Sequence, residues 1–173
     1  MRLVGTVTEP EALVALCRQV YPRLVGALTL HCGDSDVAEE VAQEALVRAW
    51  TRWPSVQSHS SPTAWIYRVA FNLTASRFRR RAAERRARER LIDGMTTTPQ
   101  PDDADRIAVR AAVASLPDRQ RLALVLRYYV DLSVDDAATV MGCAAGTVKS
   151  LTSKAIDALR AEFVLDGEEQ VTT

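Results

Sequence analysis

From Asp34 onward the apolar residues Val37, Val41, Ala42, Ala45, Leu46, Ala49 and Trp50 recur every three or four positions, the spacing of one helix face. Asp36, Glu39, Glu40, Gln43 and Glu44 stand between them, so the pattern predicts an amphipathic helix over 34–53. Upstream, residues 11–31 read as a helical stretch interrupted around Tyr21-Pro22, because a proline removes an N–H and crowds the preceding turn. "PSVQSHSSP" (54–62) reads as a loop whose last two residues open the next helix, with Ser61 as N-cap and Pro62 at the first helical position. Downstream, a helix over 105–115 breaks at Leu116-Pro117, and a second runs through Tyr129.

The pattern then tightens. Ser133, followed three residues later by Asp136, starts a helix whose apolar positions are Val134, Ala137, Ala138 and Met141. Gly142 suits a left-handed C-cap, where a Cβ is strained. A further helix from near Ala144 places Val148, Thr152, Ala155 and Leu159 inward, and Lys149, Ser150, Ser153 and Asp157 outward. Two helices joined by a tight glycine turn describe a helix-turn-helix. Small polar and basic residues near the start of the second helix suit a major groove.

"GCAAGTVKS" (142–150) also holds the ingredients of a phosphate-binding loop. Such a loop needs four residues between its glycines and a lysine directly after the second. Here only three separate Gly142 from Gly146, Thr147 and Val148 intervene before Lys149, and a helix rather than a strand precedes. Nucleotide-dependent enzymology is set aside on that ground.

Composition narrows the class. The 173 residues are 47% hydrophobic and 6% aromatic, with long runs of Ala, Leu, Arg and Glu, which favours a helical fold with a real core. No apolar run reaches the roughly 18 residues of a bilayer span, and the acidic N-terminus lacks the cleavage site of a secretion signal. No membrane insertion and a cytoplasmic location are expected. Cys17, Cys32 and Cys143 read as free thiols, and His31-Cys32 lacks further ligands at metal-binding spacing, so neither metal nor cofactor is expected.

The zero net charge conceals a sharp polarity. Residues 61–90 hold nine arginines against Glu84 and Glu89, whereas 93–105, "DGMTTTPQPDDAD", holds four aspartates and two prolines. The arginine block reads as phosphate-contacting. The acidic stretch reads as a linker whose 13 residues span at most about 45 Å. The expected fold is all-α: two small helical domains joined by an extended linker, the C-terminal one a helix-turn-helix.

In this order the segments resemble the extracytoplasmic-function group of bacterial RNA polymerase sigma factors, in the sigma-70 family. "DVAEEVAQEALVRAW" (36–50) is similar to the helix that binds the polymerase β′ clamp helices. "AWIYRVAFNLTASRFRRR" (64–81) is similar to the −10 element helix, and "LPDRQRLALVLRYYVDLSVDDAATVMGCAAGTVKS" (116–150) to the −35 domain. The resemblance implies a region 2-like domain over 10–90, an acidic linker over 91–105, a region 4-like domain over 106–165 and a short acidic tail over 166–173. It implies a non-enzymatic initiation factor that binds core polymerase through the β′ clamp helices and the β flap, recognises −35 and −10 promoter DNA and promotes melting. It also implies an anti-sigma partner. A stand-alone helix-turn-helix regulator is the alternative, and it leaves the 36–50 surface without a purpose.

By the same resemblance, Asp36, Glu40, Gln43, Glu44 and Trp50 face polymerase. Ser58, His59, Ser60, Ser61, Trp65, Arg68, Asn72, Arg77, Arg79, Arg80 and Arg81 face the −10 element. Arg119, Arg121, Thr147, Lys149, Ser150, Ser153 and Lys154 face the −35 element. Trp65, Tyr67 and Phe71 offer surfaces on which extruded bases stack, with at least one of the three expected in the core instead. The chain departs from the family at Phe71 (often arginine), at Ser76 (often aspartate), and at Leu151, Ile156 and Asp157, which replace basic positions. Each lost phosphate contact flattens the salt dependence by about one unit of slope, so weak −35 binding in the absence of polymerase is expected.

Overall fold

The computed structural model describes residues 9–88 and 104–169, with side chains over 11–77 and 108–163. Among these residues every regular element is helical. Helix α1 (Glu9–Cys32) runs unbroken through Pro22, contrary to the expected interruption. The proline is exposed, while Val20, Leu24 and Leu28 on the opposite side are buried and hold the helix across the missing hydrogen bond.

Helix α2 (Ser35–Thr51) begins where its chemistry dictates. Asp34 is extended, and its carboxylate accepts from Val37 N at 2.9 Å, contributing about 1 kcal/mol as an N-cap. The stretch expected as loop contains a one-turn helix, α3 (Trp53–Val56), which buries both of its end residues. Helix α4 (Pro62–Arg88) opens on the foreseen cap, with Ser61 Oγ accepting from Ala64 N at 3.1 Å. The buried Thr74 hydroxyl donates back to Ala70 O at 3.0 Å.

Helix α5 (Ala104–Ser115) and helix α6 (Asp118–Leu124) flank Leu116-Pro117, as expected. Helix α6 passes into a π-helical turn, Val125–Tyr129, closed by Val130 N to Val125 O at 3.0 Å. Asp131 then takes a left-handed conformation (φ 64°), one that aspartate tolerates better than most residues. Helix α7 (Val134–Met141) is capped by Ser133, whose Oγ accepts from Asp136 N at 3.0 Å, and ends at left-handed Gly142 (φ 60°). Helix α8 (Ala145–Glu169) follows and extends through the first residues of the expected tail. The expected linker lies outside the described residues except at its end, as do residues 170–173.

Helices α1, α2 and α4 pack into a three-helix unit around Leu24, Leu28, Val41, Ile66 and Tyr67. The same apolar cluster continues into Leu126, Val130, Leu132, Ala137, Val140 and Val148 of the second half. Helix α7 lies on α4, and the π-turn lies on α1. A smaller cluster of Val113, Leu116, Leu124 and Ala155 belongs to the second half alone. The two halves therefore share most of one core.

Polar contacts line the seam between them. Arg121 Nη1 donates to His31 O at the end of α1 (2.8 Å), and its Nη2 reaches Ala114 O (2.6 Å) and Leu116 O (3.0 Å). His31 Nε2 stands 3.4 Å from the Asp118 carboxylate, and its ring meets Phe71 edge-on. Burial holds the imidazole pKa below its ordinary value; the largely solvated Asp118 opposes that shift, and Arg121 adds to it. At Gly26 the backbone is so close to the Tyr129 side chain that an added Cβ would fall 1.9 Å from the hydroxyl oxygen. Burial likewise raises the Tyr67 hydroxyl above the usual phenol range, the nearby Tyr129 adding to it and Arg23 opposing it.

Candidate nucleic-acid interface

The residues expected to make contacts fall on three solvent-facing surfaces. The first is on α2. Asp36, Glu40 and Gln43 are exposed at i, i+4 and i+7, and Glu44 beside them is half-buried and paired with Arg48 at 2.8 Å. The stripe continues to Trp50, which is 56% exposed although its spacing matches the apolar face. Val47, 60% exposed, extends it. With Leu46 and with Val14, Cys17 and Arg18 of α1, these two line an apolar groove of about 340 Å³. Sequence reasoning missed Val47 and the groove. The available signal was an apolar residue standing off the buried stripe, followed at i+3 by a tryptophan.

The second surface combines the 57–61 loop with α4. Ser58, His59 and Ser60 are exposed, and Ser58 Oγ donates to Ser55 O at 2.8 Å. Ser61 is engaged as the cap of α4, so its hydroxyl oxygen already has a partner. The His59 ring lies nearly parallel to Trp65, with centroids 6.4 Å apart and planes at 19°. Trp65, Arg68 and Asn72 follow at i, i+3 and i+7, placing the indole, a guanidinium and an amide on one side of α4. Of the three aromatics considered for base stacking, Tyr67 and Phe71 are buried core residues, which leaves Trp65. The burial of Phe71 against His31 also accounts for an apolar residue at that position. Arg77 is ion-paired with Glu40, so one residue of this surface touches one of the first. The side chains of Arg79, Arg80 and Arg81 lie outside the described residues.

The third surface is the helix-turn-helix. Thr147, Lys149, Ser150, Ser153 and Lys154 are all exposed on the first turns of α8, while Val148 and Ala155 are buried beneath them. Lys149, Ser153 and Asp157 line a groove of about 320 Å³ with Arg127 and Tyr128 of the π-turn. Asp157 sits 3.7 Å from Arg160 and places a negative charge on this face. Arg119 is exposed and free to meet a phosphate. Arg121 departs from the expectation: its guanidinium donates to three main-chain carbonyls at the seam and does not lie on the α8 face. The resemblance placed Arg121 on DNA, but the nearby helix C-termini offer carbonyls that its half-buried guanidinium satisfies.

Among the described residues no cluster of His, Cys, Asp and Glu has the makings of a metal site, and no helix is long and apolar enough to cross a membrane.

Comparison with known proteins covers both halves. Residues 16–84 match the family described as Sigma-70 region 2, and residues 106–159 match Sigma-70, region 4. The chain is 36% identical over 143 residues to the ECF RNA polymerase sigma factor EcfG of Rhodopseudomonas palustris, covering 79% of this chain and 77% of that one. It is 34% identical over 157 residues to the ECF RNA polymerase sigma factor SigC of Mycobacterium tuberculosis, covering 88% and 82%. The fold resembles that of the sigma factor RpoE of Bartonella quintana, solved in complex with the anti-sigma factor NepR. The TM-score is 0.79 at 26% identity, over 90% of this chain and 99% of that one.

Proposed function

The chain belongs to the extracytoplasmic-function group of the sigma-70 family and is a sigma factor of bacterial RNA polymerase; on that premise we propose how its three surfaces divide the work. The α2 stripe docks core polymerase. Its acidic residues select basic partners on the β′ clamp helices, while Trp50 and Val47 anchor an apolar contact beside them. The observation that carries this assignment is the exposure of Trp50 and Val47 over a preformed apolar groove, since buried aromatic anchors dominate most interfaces.

The second surface takes the −10 element. Trp65 supplies a stacking face, the 58–60 loop supplies small polar groups, and Arg68 and Arg77 hold phosphates, fixing register without reading sequence. The third takes the −35 element through Lys149, Ser150, Ser153 and Lys154, with Arg119 on the backbone. With Asp157 set among Lys149, Lys154, Arg127 and Arg160, and with Leu151 and Ile156 in place of basic residues, this module binds DNA weakly until polymerase holds it in place. The protein acts by binding, without chemistry of its own, in the cytoplasm where polymerase works. NepR holds the Bartonella relative, and an anti-sigma factor holds this chain in the same manner.

Co-elution with core polymerase at moderate salt tests the docking surface. Trp50→Ala is expected to weaken the complex by at least about 30-fold, the loss typical of a hot-spot residue, with helix content unchanged. Undiminished co-elution moves the docking site elsewhere.

A further inference from the structure

Two tyrosines close the π-turn, and they face different ways, since consecutive helical residues point roughly a quarter-turn apart. Tyr129 turns to α1, where its ring lies against Gly26. Tyr128 turns away from the core and is 67% exposed, more than any other large hydrophobic side chain among the described residues. It lines the groove of about 320 Å³ along α8, together with Lys149, Ser153 and Ile156. A phenol has an apolar body and a polar tip, and such side chains gather where a partner covers the ring and gives the hydroxyl a hydrogen bond.

Most other polar groups around this groove are already engaged. Arg127 Nη1 donates to Leu132 O and ties the π-turn to the segment before α7. Thr152 Oγ1 donates to Val148 O at 2.8 Å within α8, and Arg160 faces Asp157 at 3.7 Å. The Tyr128 hydroxyl has no partner among the described residues. The π-turn leads, after a short connection, into α7, the first helix of the helix-turn-helix. When the second helix of such a motif lies in a major groove, the element before it crosses the sugar-phosphate backbone at the edge of that groove.

We propose that Tyr128 is a further DNA contact of the −35 surface, its hydroxyl donating to a backbone phosphate while its ring packs on the neighbouring sugar. The contact rests on the reading of α8 as the −35 helix. Tyrosine is among the side chains that hold phosphates and so set register without reading bases. Being neutral, it displaces no counterion, and the contact adds affinity without adding salt dependence. This face has particular use for such a contact. Leu151 and Ile156 stand in place of basic residues and Asp157 is acidic, so the cationic grip on the backbone is reduced and a neutral donor supplements it.

The test uses the holoenzyme, formed from the full chain and core polymerase, on promoter fragments that the wild-type holoenzyme selects from a randomised library. Tyr128→Phe keeps the ring and removes only the hydroxyl. Its affinity should fall about tenfold, the worth of one hydrogen bond to a charged group. The slope of log affinity against log salt should stay unchanged, and the loss should be equal across base substitutions in the −35 element. Tyr128→Ala should lose at least as much, with helical circular dichroism and melting temperature as in the wild type. Lys149→Ala, by contrast, should lower the salt slope by about 0.9. A Phe variant that binds as tightly as the wild type overturns the contact, as does a loss confined to one base substitution or one that lowers the slope. If Lys149→Ala acts and Tyr128→Phe does not, Tyr128 alone falls from the surface. If neither acts, the −35 reading of α8 fails and the tyrosine contact fails with it.

Discussion

The two halves differ in how far each stands alone. The first has three long helices, the larger part of the shared core, a small private cluster of Leu13, Trp53 and Val56, and a DNA surface that joins an arginine-rich helix to a polar loop. The second has a private core of four buried residues, and it completes its interior by pressing α7 against α4 and the π-turn against α1. Its DNA helix offers Lys149 and Lys154 with Asp157 on the same side. A module that is weak both in its core and in its charge must be positioned by something else, whether the first module or polymerase.

The largest expected effect separates shared from private core. Leu28 is fully buried in the common cluster, and Leu28→Ala should cost about 2–5 kcal/mol. Hydrogen exchange should then show protection falling in both halves together. Leu116→Ala should loosen the second half first, and equal losses throughout would erase the contrast. A smaller effect tests charge. Asp157→Lys should steepen the salt dependence of −35 duplex binding by about 0.9 in slope per added phosphate contact, raising affinity about fivefold at physiological salt. No change would place Asp157 away from the phosphates.

The smallest effect is in pH. His31 faces Asp118 and Arg121 from α6 and Phe71 from α4, and burial keeps it neutral. Its folded pKa is below the unfolded value, so as pH falls below about 6.5 the unfolded chain takes up a proton that the folded chain does not. Stability contributed at this site should therefore be intact above about 6.5 and decline on acidification towards the folded pKa. Thermal melts should show His31→Gln flattening that dependence, and an unchanged profile would assign it to other groups.

Much of the fold was legible because its signals are local. The caps at Asp34, Ser61, Ser133 and Gly142 depend on residues within four positions of one another, and those at Ser61, Ser133 and Gly142 were read from side-chain type. The exposed face of α8 followed from periodicity alone. What escaped was set by packing. Pro22 marked an interruption of the first helix in the sequence, yet neighbouring buried side chains carry α1 through it. The stacking candidates Tyr67 and Phe71 turned out to be core because tertiary contacts, not residue type, decide which aromatic reaches the surface. The Arg121–His31 contact joins residues 90 positions apart, and no local pattern announces it.

The π-turn at Val125–Tyr129 has a consequence for phase. One residue more than an α-helical turn requires is enclosed there. Each residue rotates a helix by about 100°, so the extra one orients everything beyond it, including the helix-turn-helix, relative to α6. A chain shortened by one residue at this point would keep every cap and every charge of its DNA-binding helix and point them roughly a quarter-turn away. The length of five residues thus works as an angular setting, passed down the chain from the π-turn to the helices that follow it.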